Sequence, residues 1–185
     1  MRAYELWRKT WHVSAYPDGF ISDSFLNADK ILSLSSGSEP VLLCICNFYD
    51  VFKIYDRESS YMSGLQSYGF LTDNDQIMSV EYISANRRWR RKGISLGKLI
   101  VGLSQKLFID SSATVSVGTA VKSSGVPKMV EEFGFRSLGT IERYGLDCEL
   151  VINRRETNKR SEDLQLDSLI NILWSQENEV TQEVA

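Results

Sequence analysis

The stretch Arg87-Arg88-Trp89-Arg90-Arg91-Lys92-Gly93-Ile94-Ser95 carries five basic residues among the six that precede its glycine. It lies between a segment with strand character, Met78 to Ser84 (MSVEYIS), and apolar residues at Leu96, Leu99, Ile100, Leu103 and Leu107, the spacing of one face of an α-helix. A loop so placed ends on helix N–H groups that lack intrahelical partners and sit at the positive end of the macrodipole. The chemistry it suits is the binding of a pyrophosphate. Gly93 lets the backbone approach phosphate oxygens with no Cβ in the way, and Ser95 is nearly as small and adds a hydroxyl. Arg90, Arg91 and Lys92, leading into Ile94, add Coulombic attraction. The same cations beside Trp89 would also suit a phosphodiester backbone, but a charge cluster alone does not call for a strand before, a glycine within and a helix after.

Glu81, in the preceding strand, is the second residue of interest. A central strand covered on both faces buries both of its side-chain sets, and a buried carboxylate is costly unless it is paired or useful. Its structural role would be an ion pair with Arg136 or Arg143. Tyr144 lies where a hairpin turn could carry its phenol over a site, or could simply pack as an aromatic.

Other chemistries are excluded by what is scarce. His12 is the only histidine, which leaves no Ser-His-Asp or Cys-His pair unless His12 itself serves and no metal site needing two imidazoles. Cys44, Cys46 and Cys148 make an odd count without C-x-x-C spacing, so neither a disulfide framework nor a zinc site is expected. The net charge is −3, and it resides entirely in the segment from Arg154 onward, where four basic residues face seven acidic ones; the remainder holds 17 of each sign. No broad nucleic-acid surface follows from that balance. Without a spanning apolar run or a secretory leader pattern, the expectation is a cytoplasmic protein that does not enter a membrane.

These residues need elements to hold them. At 185 residues with 43% apolar composition, one globular domain over residues 1–153 is expected, followed by a charged tail over 154–185. Tyr4 to Trp11 reads as an opening strand, Ala28 to Leu34 as a short helix, and Val41 to Cys46 and Val51 to Tyr55 as strands parted by a turn near Tyr49 and Asp50. Arg57 to Asp75 has no readable periodicity. Thr114 to Val117 reads as a short strand. Ser123 or Ser124 can cap a helix with Pro127 in its first turn and Gly134 at its close. Phe135 to Tyr144 and Asp147 to Asn153 form a hairpin about Gly145. The tail offers Leu166, Leu169, Ile170, Leu173 and Trp174 at helical spacing, a stripe suited to docking or to a partner. The order implies an α/β (α+β) domain, a mixed twisted sheet flanked by helices.

The basic loop resembles the acyl-coenzyme A signature of the GNAT superfamily of N-acyltransferases, Arg/Gln-x-x-Gly-x-Gly/Ala, with Arg90 and Gly93 on its first two fixed positions and Ser95 departing from the third. Val130-Glu131-Glu132-Phe133-Gly134-Phe135 is similar to that superfamily's Tyr-x-x-Leu-Gly-Phe helix ending, so the resemblance covers roughly residues 78 to 153. It implies acetyl-coenzyme A, or another acyl-coenzyme A, as co-substrate, with the 3′-phosphate accounting for the excess of cations. It further implies a pantetheine arm inserted beside the backbone of Ile83 and Ala85 and within reach of Ser123, with Glu81 as the base, often through water, that deprotonates an incoming amine. The superfamily's acidic tyrosine falls on Val130, which leaves Tyr144 as the candidate replacement. The reaction implied is transfer of an acetyl group to a primary amine on a small molecule or a protein. Two alternatives stand beside it: an acyltransferase using a longer chain from acyl-coenzyme A or acyl carrier protein, and a non-catalytic binding or regulatory protein. The tail helix would serve a homodimer or another partner.

Overall fold

A computed structural model describes residues 4–6, 25–51, 65, 69–89, 96–143 and 145–157. The run Val41 to Cys46 is buried on both faces, with Leu42, Leu43, Cys44, Ile45 and Cys46 all at 0% exposure, as a strand inside a covered sheet requires. It belongs to β2 (Glu39–Asp50), flanked by β1 (Lys30–Ser36) and β3 (Gln76–Ala85). Then come α1 (Leu96–Asp110), β4 (Val115–Val121), α2 (Val126–Glu131), β5 (Arg136–Arg143) and β6 (Leu146–Arg154). The strands form one six-stranded sheet in the order β1-β2-β3-β4-β6-β5. All neighbours are antiparallel except β3 and β4, the parallel pair that brackets α1.

Alternation along the strands divides two cores. Leu42, Cys44, Cys46 and Met78 meet Leu96, Leu99, Ile100 and Phe108 of α1, while Tyr49, Ile77, Val115, Val117, Leu150 and Ile152 cluster separately. The end of α1 is fastened by Arg155, whose guanidinium donates to the carbonyls of Phe108, Ile109, Ser111 and Ala113. Gly134, with φ 88, closes α2. Its amide donates to Glu131 O and that of Phe135 to Val130 O, a Schellman ending backed by Val130–Phe135 packing.

Three expected elements are corrected. The segment read as a helix at Ala28 to Leu34 is β1, because Leu32 and Leu34 point together into the core while Lys30, Ile31, Ser33 and Ser35 are exposed, a period of two. Asp29 locks its start, accepting from the Phe48 amide (2.7 Å) and donating its own amide to Asn47 Oδ1 (3.0 Å). No turn divides β2 at Tyr49 and Asp50: both remain paired with β3, opposite Ile77 and Gln76, and the backbone turns helical only at Val51. Phe52 to Tyr55 lie outside the described residues. Tyr4 to Leu6 are helical where a strand was expected, and the rest of that segment, like the stripe Leu166 to Trp174, lies outside the described residues. Arg154 and Arg155, in the charged segment, are built into the sheet's closed end and the α1 cap.

Candidate active site

Strands β3 and β4 run side by side for only four rungs, Ile77↔Val115 to Val80↔Gly118. Beyond that point β3 stays with β2 as far as Ala85, and β4 stays with β6 as far as Val121. The sheet therefore forks. The edge of β3 that faced β4 has no rung to β4 from Glu81 onward.

Two features of sequence cause the divergence. The β2–β3 register shifts between Ile45 and Cys46, which pair with Tyr82 and Val80, so Glu81 is the extra residue of a β-bulge. A bulge bends and twists its strand. At the apex sits Gly118, where a Cβ would lie 3.3 Å from Val80 O and 3.7 Å from Val151 Cγ2. A side chain there would press on Val80 O, so glycine eases the close approach of the two strands just before they part.

The fork opens on a cavity of about 270 Å³ lined by Glu81 and Ile83 on one limb, Gly118 and Val121 on the other, and Val101 of α1 and Val130 of α2 beneath. It is narrow, mostly apolar and bounded by two helices. Such a place suits a thin chain carrying few polar groups. Gly97, in the first turn of α1, lines it as well.

Glu81 is half-buried and its Oε1 accepts hydrogen bonds from the Tyr49 hydroxyl (3.1 Å) and the Ser79 hydroxyl (3.3 Å). The carboxylate is thus held at the fork, reachable from the cavity and tethered from the other core. Arg136 stacks over the Phe70 ring at 4.7 Å, and Arg143 donates to Thr119 Oγ1 at 2.8 Å on the first residue beyond the apex of the β4 limb. Ile83 lines the cavity, whereas Ala85 packs against the core under α1. Ser123 is exposed and borders a separate shallow depression with Lys122, Glu142 and Asp147; its neighbour Ser124 lines the cavity. The Ser124 hydroxyl accepts from the Val126 amide (3.2 Å), helping to start α2. Arg90, Arg91, Lys92, Gly93, Ile94, Ser95 and Tyr144 lie outside the described residues. Among the described residues no group of three or more His, Cys, Asp or Glu could hold a metal ion, and no helix is long and apolar enough to cross a membrane.

The residues that sequence reasoning passed over are Tyr49, Ser79, Gly118 and Thr119. Gly118 carried a signal, a glycine inside a valine-rich strand. Ser79 shares a strand face with Glu81 by spacing, but Tyr49 reaches Glu81 only through a pairing 32 residues away in sequence.

The parallel pair splits beside a helix N-terminus, inside an otherwise antiparallel sheet, and solved structures resemble this chain in overall fold. The chain superposes on Naa50 of Arabidopsis thaliana, solved with the bisubstrate analogue CoA-Ac-MVNAL, with a TM-score of 0.55 and 13% identity over 82% of this chain and 89% of that one. The chain has the GNAT fold. Naa20 of Chaetomium thermophilum, in complex with a bisubstrate analogue, gives a TM-score of 0.57 at 8% identity over 85% of each chain. An agmatine N-acetyltransferase mutant in its apo form gives 0.54 at 11% identity over 76% of this chain and 85% of that chain. No protein-family profile and no curated protein sequence matches the chain.

Proposed function

We propose that this GNAT-fold protein is an N-acyltransferase that moves an acyl group, most simply acetyl, from coenzyme A to a primary amine. The observation that carries the reading is the fork: β3 and β4 part after Val80 and Gly118 over an apolar cavity, with a tethered carboxylate where they part. A pantetheine arm carries amides along a thin chain, so it can pair with the β3 edge at Ile83 and Ala85 while its methylenes fill the cavity. Its diphosphate then reaches the loop of Arg90, Arg91, Lys92, Gly93, Ile94 and Ser95 before α1, where cations and helix-end amides favour an anion. The similar fold of Naa50, solved with the bisubstrate analogue CoA-Ac-MVNAL, supports coenzyme A as the donor.

In this reading Glu81 takes the proton of the ammonium as nitrogen attacks the thioester carbonyl, and a backbone N–H of the bulged β3 limb stabilises the oxyanion. No covalent enzyme intermediate is required. Holding the two reactants in line supplies much of the rate, since orientation can lower a barrier by about 7–11 kcal/mol. Tyr144 is the candidate donor to the leaving sulfur, and Ser123 is a candidate contact at the outer end of the arm.

The test is an amine screen with acetyl-coenzyme A, read by mass spectrometry and thiol release, over peptide N-termini, lysine peptides and guanidino-amines. One acceptor should gain one acetyl group, and Glu81→Gln should lower its kcat by roughly 10²-fold. Calorimetry should show tighter binding of coenzyme A than of its form lacking the 3′-phosphate. Equal affinity for the two, with no acceptor in the screen, would overturn the proposal.

A further inference from the structure

We propose that Asn86 is a positioning residue that holds the cleft open by clamping the end of the β3 limb to the start of β2. The inference rests on the fork being the acyl donor's site and asks what keeps its limbs apart. The β4 limb is secured by its ladder to β6, which runs to Val121↔Cys148. The β3 limb is more exposed to fraying: its last rung is Ala85↔Leu42, and on its other side lies the gap.

Asn86 follows immediately and engages every polar atom it has. Its backbone N–H donates to Val41 O (2.8 Å), and its side-chain Nδ2 donates both to Glu39 Oε1 (3.0 Å) and to Pro40 O (3.2 Å). These three bonds draw the limb toward β2 and away from β4. Its Oδ1 accepts from the Arg88 amide (3.1 Å) and its carbonyl from the Trp89 amide (3.0 Å), which winds the turn at Arg87–Trp89 from which the basic loop departs. One side chain therefore sets both the spread of the cleft and the direction in which the loop leaves it. Aspartate could keep the bond to Arg88, but it would present oxygen to Glu39 and to Pro40 O, where a donor is needed.

Amide exchange on the free protein and calorimetric titration with coenzyme A test the clamp in Asn86→Ala, Asn86→Asp and Asn86→Asp combined with Glu39→Gln. In Asn86→Ala, amides between residues 81 and 89 should exchange about tenfold faster while α1 and the β4–β6 ladder are unchanged, and coenzyme A should bind about tenfold more weakly. Asn86→Asp should behave alike despite retaining the Arg88 acceptor. Adding Glu39→Gln, whose amide can donate to the new carboxylate, should restore both quantities to within about threefold of the native protein. A merely local structural role would quicken exchange over 81–89 without weakening coenzyme A binding. The clamp is refuted if exchange over 81–89 is unaltered in Asn86→Ala, if faster exchange leaves coenzyme A affinity intact, or if the reversed pair restores nothing. A native protein that fails to bind coenzyme A would instead refute the proposed function, and the exchange comparison would still decide the clamp.

Discussion

Replacing Asp75 by asparagine removes the charge that ties the closed end of the fork together. Asp75 is 4% exposed at the entry to β3. Its oxygens accept from both terminal nitrogens of Arg154 (3.1 Å each), from the Thr114 hydroxyl (2.8 Å) and from the Thr72 amide (2.8 Å), which links β3, β4 and β6. Burial pushes its pKa up, but hydrogen bonds from Arg154, Thr72 and Thr114 and the charge of Arg154 outweigh burial and hold the carboxyl below its ordinary value. The unfolded chain therefore binds the proton more readily. The stabilisation is fully present above the unfolded pKa of about 3.9 and is lost as pH falls through the lower folded value.

Removing one partner of a buried ion pair costs about 3–5 kcal/mol. The Arg154 side chain keeps 23% exposure and also donates to Phe70 O, so the lower limit applies, about 3 kcal/mol. For a chain of this length each kcal/mol is worth about 2–4 °C, so Asp75→Asn should melt roughly 6–12 °C lower at neutral pH. Circular-dichroism melts over an acid series would follow the gap, which should shrink as the native carboxyl is itself protonated. A variant melting with the native protein at neutral pH, or a gap that persists undiminished in strong acid, would refute this account.

Gly118→Ala should cost about 1–3 kcal/mol by pressing a Cβ on Val80 O, and should weaken coenzyme A binding in calorimetry, because the apex can relieve the contact only by shifting a limb. Arg155→Ala should lower stability by about 1–2 kcal/mol in denaturant titration by uncovering the carbonyls at the end of α1, and Arg155→Lys should recover little of it, since an ammonium cannot reproduce the planar fork. All three cysteines should react slowly with iodoacetamide at neutral pH until the chain is denatured. Each is buried; the hydrogen bond between the Cys44 and Cys46 sulfurs together with burial raises the Cys44 thiol pKa well above its ordinary value, and burial raises that of Cys148.

Local signals in the sequence were enough wherever one element explained itself. The stripe Leu96, Leu99, Ile100 specified α1, and Gly134 after an apolar helix specified the Schellman ending, because each depends on neighbours within a turn or two. Glu81 was legible as an awkward carboxylate, but its tether was not: Tyr49 reaches it only because β2 runs unbroken past Asp50, and that continuity comes from pairing with β3. Lys30 to Ser36 failed for the same reason. Its alternation is short and serine-rich, and it becomes a strand by pairing with β2. The bulge at Glu81 is likewise a property of two strands in register, which no single segment encodes.

Val130, where the superfamily's acidic tyrosine would fall, raises the question of how much the missing acid matters, and the two proton transfers of the proposed reaction can be weighed. An amine of pKa about 10.4 is some 3.4 units above neutrality, so freeing its lone pair costs about 4.6 kcal/mol. A thiol of pKa about 8.5 lies only some 1.5 units above neutrality, so releasing sulfur as thiolate forfeits about 2 kcal/mol. The base is worth more than the acid. Glu81→Gln should therefore lower the rate at neutral pH by roughly 10²-fold and leave it rising with pH, as the free amine becomes more abundant. Val130→Tyr should raise it by no more than about 30-fold, the equivalent of that 2 kcal/mol. The gain would be reduced by crowding, because Val130 is 6% exposed among Val101, Phe133, Phe135 and Val151. Should pH–rate profiles show the tyrosine variant gaining more than the glutamine variant loses, leaving-group protonation would control the rate and Glu81 would not be the residue that sets it.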